Sequence, residues 1–175
     1  MNYKILISEE QIYEKINELG RRISEDYEGR KVTLIGVLKG AYMFLSDLSR
    51  AISIPHTVDF MAVSSYGSST TSSGIVRILK DLDNPITNQH IILVEDIIDS
   101  GLTLKYLMNI FYNRSPASIS VCALLDKVNK HPNETLADYI GFEIPDKFVI
   151  GYGLDYQQYY RNLPFIAYLE GLVQE

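Results

Sequence analysis

Residues Ile91–Thr103 read IILVEDIIDSGLT, and the fold is decided there. Ile91 to Val94 is a continuous apolar run, as in a strand buried on both faces of a parallel sheet. It ends in two adjacent carboxylates, Glu95 and Asp96, with a third, Asp99, three residues later. Ser100-Gly101 marks a tight turn. Leu104, Leu107, Met108 and Phe111 then recur at helical spacing. Open α/β sheets bind ligands at the carboxyl ends of their strands. Successive N–H groups in such a turn, backed by a helix N-terminus, cradle an anion. Gly101 lets the backbone approach a phosphate closely, and the hydroxyls of Ser100 and Thr103 add donors. Glu95 and Asp96 suit a sugar diol or a hydrated Mg²⁺. One short loop therefore offers a phosphate site beside a hydroxyl or metal site, which is what a ribose phosphate demands. The competing reading is a plain strand–turn–helix with solvated carboxylates at its mouth.

Outward from this segment the chain alternates strands and helices. Ser8 and Gln11 have capping-box spacing, and Ile12, Ile16, Leu19 and Ile23 predict an amphipathic helix over 9–26. Val32 to Leu38 reads as a buried strand, broken by Lys39-Gly40 and followed by a helix from about 41 to 52. Further strands are predicted around Val58–Ala62, Ile75–Leu79 and Ile119–Leu125, with shorter ones at 139–142, 147–151 and 165–169. Residues 64–74, SSYGSSTTSSG, hold six serines and no core former, which predicts a mobile loop. The pattern is that of a Rossmann-like parallel α/β sheet flanked by helices, with the first and last segments as a small hood. A chain of 175 residues with no internal repeat or linker reads as a single domain, 1–175.

The charge balance is acidic, −6, and no basic run is longer than a pair such as Arg21-Arg22. A basic patch for nucleic acid is therefore not visible in the sequence. No apolar stretch approaches the roughly 20 residues of a membrane span. The N-terminus has no signal-peptide core. The lone Cys122 lies in an apolar run and reads as a small buried hydrophobe, which fits a cytoplasmic setting. His56, His90 and His131 are far apart and read as surface or loop residues, without zinc-ligand spacing. Walker A, G-x-G-x-x-G and G-x-S-x-G motifs are all missing.

The stretch VEDIIDSGLT resembles the PRPP (phosphoribosyl pyrophosphate) motif of type I phosphoribosyltransferases, at every position. Leu38-Lys39-Gly40 resembles the pyrophosphate loop of the hypoxanthine-guanine branch, in which the Leu-Lys peptide is often cis. Lys127, after LLD, matches the lysine that bonds the purine 6-oxo group. The run Gly141–Asn162, GFEIPDKFVIGYGLDYQQYYRN, is similar to the C-terminal signature of that branch. Ser65-Tyr66-Gly67 and the serines after it match its active-site lid.

The resemblance spans roughly residues 30–170 and implies a role for each matching residue. Asp99, Ser100, Gly101, Leu102 and Thr103 hold the 5′-phosphate. Glu95 and Asp96 hold the ribose hydroxyls or Mg²⁺. Asp155 holds a second Mg²⁺ through water. Lys39, Gly40 and Arg161 face pyrophosphate, and Ser65 and Tyr66 belong to the lid. Lys127, Phe148 and Val149 bind the purine, with Phe148 stacking and Val149 reading the base edge. Asp99 serves as the proton acceptor at purine N7. The family often places an arginine against pyrophosphate where this chain has His131, so that contact lacks its usual residue.

The implied activity is purine salvage. Hypoxanthine or guanine joins PRPP, giving a purine nucleotide and pyrophosphate with Mg²⁺ as cofactor. The implied assembly is a homodimer or homotetramer. A regulator that keeps the fold and binds PRPP as a signal is the rival of another class, and turnover separates the two.

Overall fold

A computed structural model describes residues 2–65, 76–132 and 134–169. Helix α1 (Glu9–Asp26) begins at the expected capping box. Gln11 N–H donates to Ser8 Oγ, and Ser8 N–H donates back to Gln11 Oε1 at 2.9 Å. Its buried residues include Ile12, Ile16, Leu19 and Ile23, the face its periodicity predicted.

The main sheet contains β2 (Val32–Leu38), β3 (His56–Ser65), β4 (Val76–Lys80), β5 (His90–Ile98), β6 (Ser118–Asp126) and β7 (Tyr139–Glu143). Their order is β4-β3-β2-β5-β6-β7, and every pairing is parallel except β3 with β4. Helices α2 (Tyr42–Ala51) and α3 (Leu102–Tyr112) follow β2 and β5. Side chains of the central strands divide between two cores. Leu34, Ile92 and Val94 pack with α1 and α2 through Leu19, Ile23, Phe44 and Leu45. Ile35, Leu93 and Val121 pack with α3 through Leu104, Leu107 and Phe111. The chain moves outward from β2 to β3, then returns to place β5 on the other side of β2. That reversal opens a crevice at the carboxyl ends of β2 and β5, where such sheets bind ligands.

The hood is a separate antiparallel sheet of β1 (Tyr3–Ile7), β8 (Val149–Ile150) and β9 (Ile166–Leu169), in the order β1-β9-β8. β1 had no signal in the sequence reading. Only Ile7 of its five residues is buried, so there is no alternation to detect. β8 is shorter than the 147–151 expected, because Gly151 leaves the strand with φ at 95°.

Two expectations are corrected. β5 does not end at its two carboxylates but runs on to Ile98. It pairs with β6 through Glu95↔Ala123, Ile97↔Leu125 and Ile98↔Asp126, while its pairing with β2 ends at Gly36↔Val94. Glu95 and Asp96 thus stand in a strand that has lost one neighbour and kept the other. His131 is no surface residue, since its ring is buried against Asp126. Its segment includes a 3₁₀ turn, Val128–Lys130. The loop expected over 64–74 starts later than that, since Ser64 and Ser65 end β3, and its residues 66–74, Tyr66 among them, lie outside the described residues.

Candidate active site

Strand register sets the first contact. The β5–β6 ladder runs to Ile98↔Asp126, and Lys127 N–H donates to Ile98 O at 2.9 Å. The next residue on β5, Asp99, therefore emerges beside Lys127. Lys127 Nζ donates to Asp99 Oδ2 at 2.9 Å and to Asp146 Oδ1 at 3.3 Å. The lysine side chain is only 5% exposed, whereas that of Asp99 is 52% exposed. A buried ammonium is held here by carboxylates that face the crevice.

Beyond Asp99 the chain turns at Gly101, whose φ of 74° lies in the left-handed region. Helix α3 starts at Leu102 with no acidic residue in its first turn. The first N–H groups of a helix have no intrahelical acceptor. Among the described residues a long contact is made here, Leu102 N–H to Ser100 Oγ at 3.5 Å. A hollow of about 220 Å³ is lined by Glu95 through Leu104. Loop N–H groups, the Ser100 and Thr103 hydroxyls and the positive end of α3 make it suited to a phosphate.

Glu95 and Asp96 flank that hollow. Burial, and next to it the charge of Asp96, raise the Glu95 pKa well above the usual carboxylate range. Burial also lifts Asp96 to about 6, against the opposing pull of backbone N–H groups and Arg161. Among the described residues no cation pairs with Glu95. Nor do three His, Cys, Asp or Glu side chains converge as a closed metal cage among them. A buried Glu95 beside a half-buried Asp96 suits a cation completed by water and substrate oxygens, as Mg²⁺ usually is.

The exit of β2 packs onto this strand. The Leu38–Lys39 peptide is cis, as the resemblance implied. A Cβ on Gly40 would fall 1.5 Å from Asp96 Oδ2. Gly153, with φ at 97°, lies against the other side, and its Cβ would come within 2.1 Å of Gly40 O. Glycine is needed at both places for the Lys39-Gly40 segment, the carboxylate and the C-terminal segment to meet.

The C-terminal segment brings the cations. Arg161 Nη1 donates to Gly153 O at 2.7 Å, and Nη2 pairs with Asp155 Oδ1 at 2.7 Å. Phe148 is 39% exposed and meets Tyr156 edge-on, with centroids 5.8 Å apart. Val149 begins β8 and is buried. Asp146, two residues before Phe148, binds Lys127, so the aromatic is tethered beside the Asp99–Lys127 pair.

Most residues singled out in the sequence thus converge around the crevice. His131 does not. Its Nε2 lies 2.7 Å from Asp126 Oδ1 and its Nδ1 3.3 Å from Glu134 O, which fixes the turn behind Lys127. Sequence reasoning assigned no role to Asp146, Gln158 or the Asp126–His131 pair. Asp146 and Gln158 lay inside the recognised C-terminal signature, which was their one signal. Tyr152 was also passed over, and its hydroxyl bonds Asp47 of α2, anchoring the Gly151–Gly153 turn.

The family model described as "Phosphoribosyl transferase domain" matches residues 3–157. The hypoxanthine-guanine phosphoribosyltransferase of Bacillus subtilis is 51% identical over 172 residues, covering 98% of this chain and 96% of the relative. That of Mycobacterium tuberculosis is 50% identical over 178 residues, covering 98% and 88%. Among solved structures, a hypoxanthine-guanine phosphoribosyltransferase from Bacillus anthracis superimposes with a TM-score of 0.90 at 48% identity, over 95% of this chain and 98% of the other. A hypoxanthine phosphoribosyltransferase from Staphylococcus aureus gives 0.91 at 43% identity, over 95% and 91%.

Proposed function

This chain belongs to the phosphoribosyl transferase family, and from that premise we propose that it transfers the 5-phosphoribosyl group of PRPP to hypoxanthine or guanine. The products are the purine nucleotide and pyrophosphate. The observation that carries the reading is the Asp99–Lys127 pair at the lip of the Glu95–Leu104 hollow. It sets a group able to take a purine proton, and one able to read a 6-oxo group, beside a cradle suited to a phosphate.

In this reading the 5′-phosphate occupies the Asp99–Thr103 loop, and Glu95 and Asp96 take the ribose hydroxyls. Pyrophosphate lies near Lys39, Gly40 and Arg161. The purine stacks on Phe148, Val149 reads its edge, and Lys127 donates to its 6-oxo oxygen. A 6-amino group would set donor against donor there, which disfavours adenine. As C1′–N9 forms, the C1′–oxygen bond breaks and pyrophosphate leaves with the electron pair. The ribose gains cationic character, which the buried carboxylates stabilise. Asp99 accepts the proton from purine N7. Residues Glu95, Asp96 and Asp155 would hold Mg²⁺, which supplies charge neutralisation of the departing anion. Ser65 and Tyr66 would close over the site.

Residues 1–175 acting as one domain, a cytoplasmic location and a homodimer or homotetramer complete the proposal. The buried thiol of Cys122 suits a reducing setting, and Tyr13, 69% exposed on α1, offers apolar surface to a second copy. The test is nucleotide formation from PRPP and Mg²⁺ with hypoxanthine, guanine, xanthine and adenine supplied separately. Turnover with hypoxanthine or guanine and none with adenine is expected. Tight PRPP binding without turnover on any base would instead favour a regulator.

A further inference from the structure

Gln158 sits where two cations meet. Its Oε1 accepts from Lys39 Nζ at 3.1 Å and from Arg161 Nη2 at 3.4 Å. The backbone around it is a tight hairpin. Tyr156 and Tyr159 exchange N–H···O bonds of 3.1 and 3.0 Å, and Gln157 and Gln158 form the tip with φ of 52° and 71°. Two successive residues at positive φ define a type I′ turn, which favours Asn and Gly over residues with long side chains. Glutamine gains nothing locally from that backbone. The turn is kept by Asp155, whose Oδ2 accepts Gln158 N–H at 2.8 Å. Outliers of this kind gather at functional sites. The consequence here is an amide oxygen placed between two cationic side chains, the second of which also pairs with Asp155.

We propose that Gln158 is a built-in stand-in for the leaving group: its amide oxygen holds the anion position between Lys39 and Arg161 until an oxygen of pyrophosphate displaces it. The inference rests on the proposed function, which puts pyrophosphate at these two cations. A neutral amide oxygen bridges the two cations, with Arg161 held also by Asp155 Oδ1 and Gly153 O, each at 2.7 Å. It is a weaker partner for them than a multiply charged phosphate oxygen, because ionised acceptors bond roughly twice as strongly as neutral ones. The amide therefore yields to pyrophosphate and competes better against singly charged anions. Its position at an exposed hairpin tip lets it leave by side-chain rotation alone, with the Asp155 bond to its backbone intact.

The test is calorimetric titration of magnesium pyrophosphate into the full-length wild-type protein, Gln158→Ala and Gln158→Glu. Titration of the purine nucleotide IMP runs in parallel. Removing the competing acceptor should tighten pyrophosphate by about 3–10-fold in Gln158→Ala. The fixed anion of Gln158→Glu should weaken it by about 10-fold or more. IMP affinity should stay within about 2-fold in both, because neither cation contacts the nucleotide in the proposed reading. Unchanged or weaker pyrophosphate binding in Gln158→Ala would overturn the proposal, making the side chain a bystander or a support for the cations. If wild type binds IMP but no pyrophosphate, the assignment of the anion site fails instead.

Discussion

Lys127 Nζ lies 2.9 Å from Asp99 Oδ2, so the proposed purine reader and the proposed proton acceptor bond each other before any purine arrives. The contact follows from strand register, because Ile98 and Asp126 are paired and the next residues must emerge together. Asp146, 3.3 Å from the same ammonium, supplies a second carboxylate. In the proposed reading a 6-oxopurine would take Lys127 partly from Asp99 and free that carboxylate to accept a proton. Adenine would offer no acceptor at its 6-position, and Asp99 would stay engaged.

Asp99→Asn keeps the shape of the Asp99–Thr103 loop and removes the proposed proton acceptor. Turnover should fall by about 10²–10⁴-fold, the usual weight of general base catalysis. PRPP affinity should move much less, because the loop N–H groups and hydroxyls remain. Steady-state kinetics with saturating hypoxanthine gives both numbers. Losses of equal size in kcat and in PRPP affinity would assign Asp99 to binding alone.

Gly153→Ala tests whether the crevice needs the approach of the C-terminal segment to Gly40. The new Cβ would stand 2.1 Å from a backbone oxygen, on a residue with φ at 97°. Backbone cannot swing aside as a side-chain tip does, so the Gly151–Arg161 segment must shift. A cost of ~1–3 kcal/mol is expected in urea unfolding, from strained backbone. Arg161 should be displaced with it, since its Nη1 is held by Gly153 O. PRPP affinity should therefore fall together with stability. A variant as stable and as tight as wild type would refute the packing argument.

The extent to which this was legible in sequence depended on how local the cause was. α1 is fixed by its own capping box and apolar stripe, and it begins and ends where those signals put it. The buried strands are marked by apolar runs, and the turn between β5 and α3 by its glycine and hydroxyls. The end of β5 was misplaced because pairing with β6, not local preference, carries the strand through Glu95 and Asp96. β1 was missed because its stability comes from β9, over 150 residues away, and not from a pattern of its own. The His131 ring was placed wrongly for the same reason. Its burial depends on where β6 and the 3₁₀ turn deliver Asp126, which spacing along the chain does not encode.

The Asp126–His131 pair should be a stability element behind Lys127. Both side chains are 3% exposed, at a separation of 2.7 Å. Removing the ring leaves a buried carboxylate with its partner gone, a loss of ~1–3 kcal/mol. Asp126→Asn combined with His131→Ala should cost less than the two single changes added together, because the orphaned charge is gone. A double-mutant cycle on unfolding free energies measures that coupling. Additive effects would show that the two side chains are stabilised independently.

The buried carboxylates set a pH dependence whose sign can be stated. Asp96 has a folded pKa of about 6 against an ordinary 3.8, and Glu95 is raised in the same direction. The folded, ligand-free protein therefore holds protons that the unfolded chain has released. By linkage its stability is greatest below the unfolded values and is lost as pH rises through about 6. Other carboxylates act oppositely at lower pH, Asp81 with its Arg114 partner among them. The two contributions are separated by difference. Asp96→Asn cannot ionise, so it should gain on wild type as pH climbs from about 4 to about 7, reaching ~1–2 kcal/mol, the scale on which a buried charge is penalised in proteins. The same substitution should lower turnover, since the charge that destabilises the ligand-free protein is the one proposed to meet the ribose hydroxyls or Mg²⁺. Saturating PRPP and Mg²⁺ should abolish or reverse the gain. Thermal melts of both proteins across that range, with and without ligand, provide the comparison. A pH-independent difference would mean that the carboxylate is solvated in the folded protein.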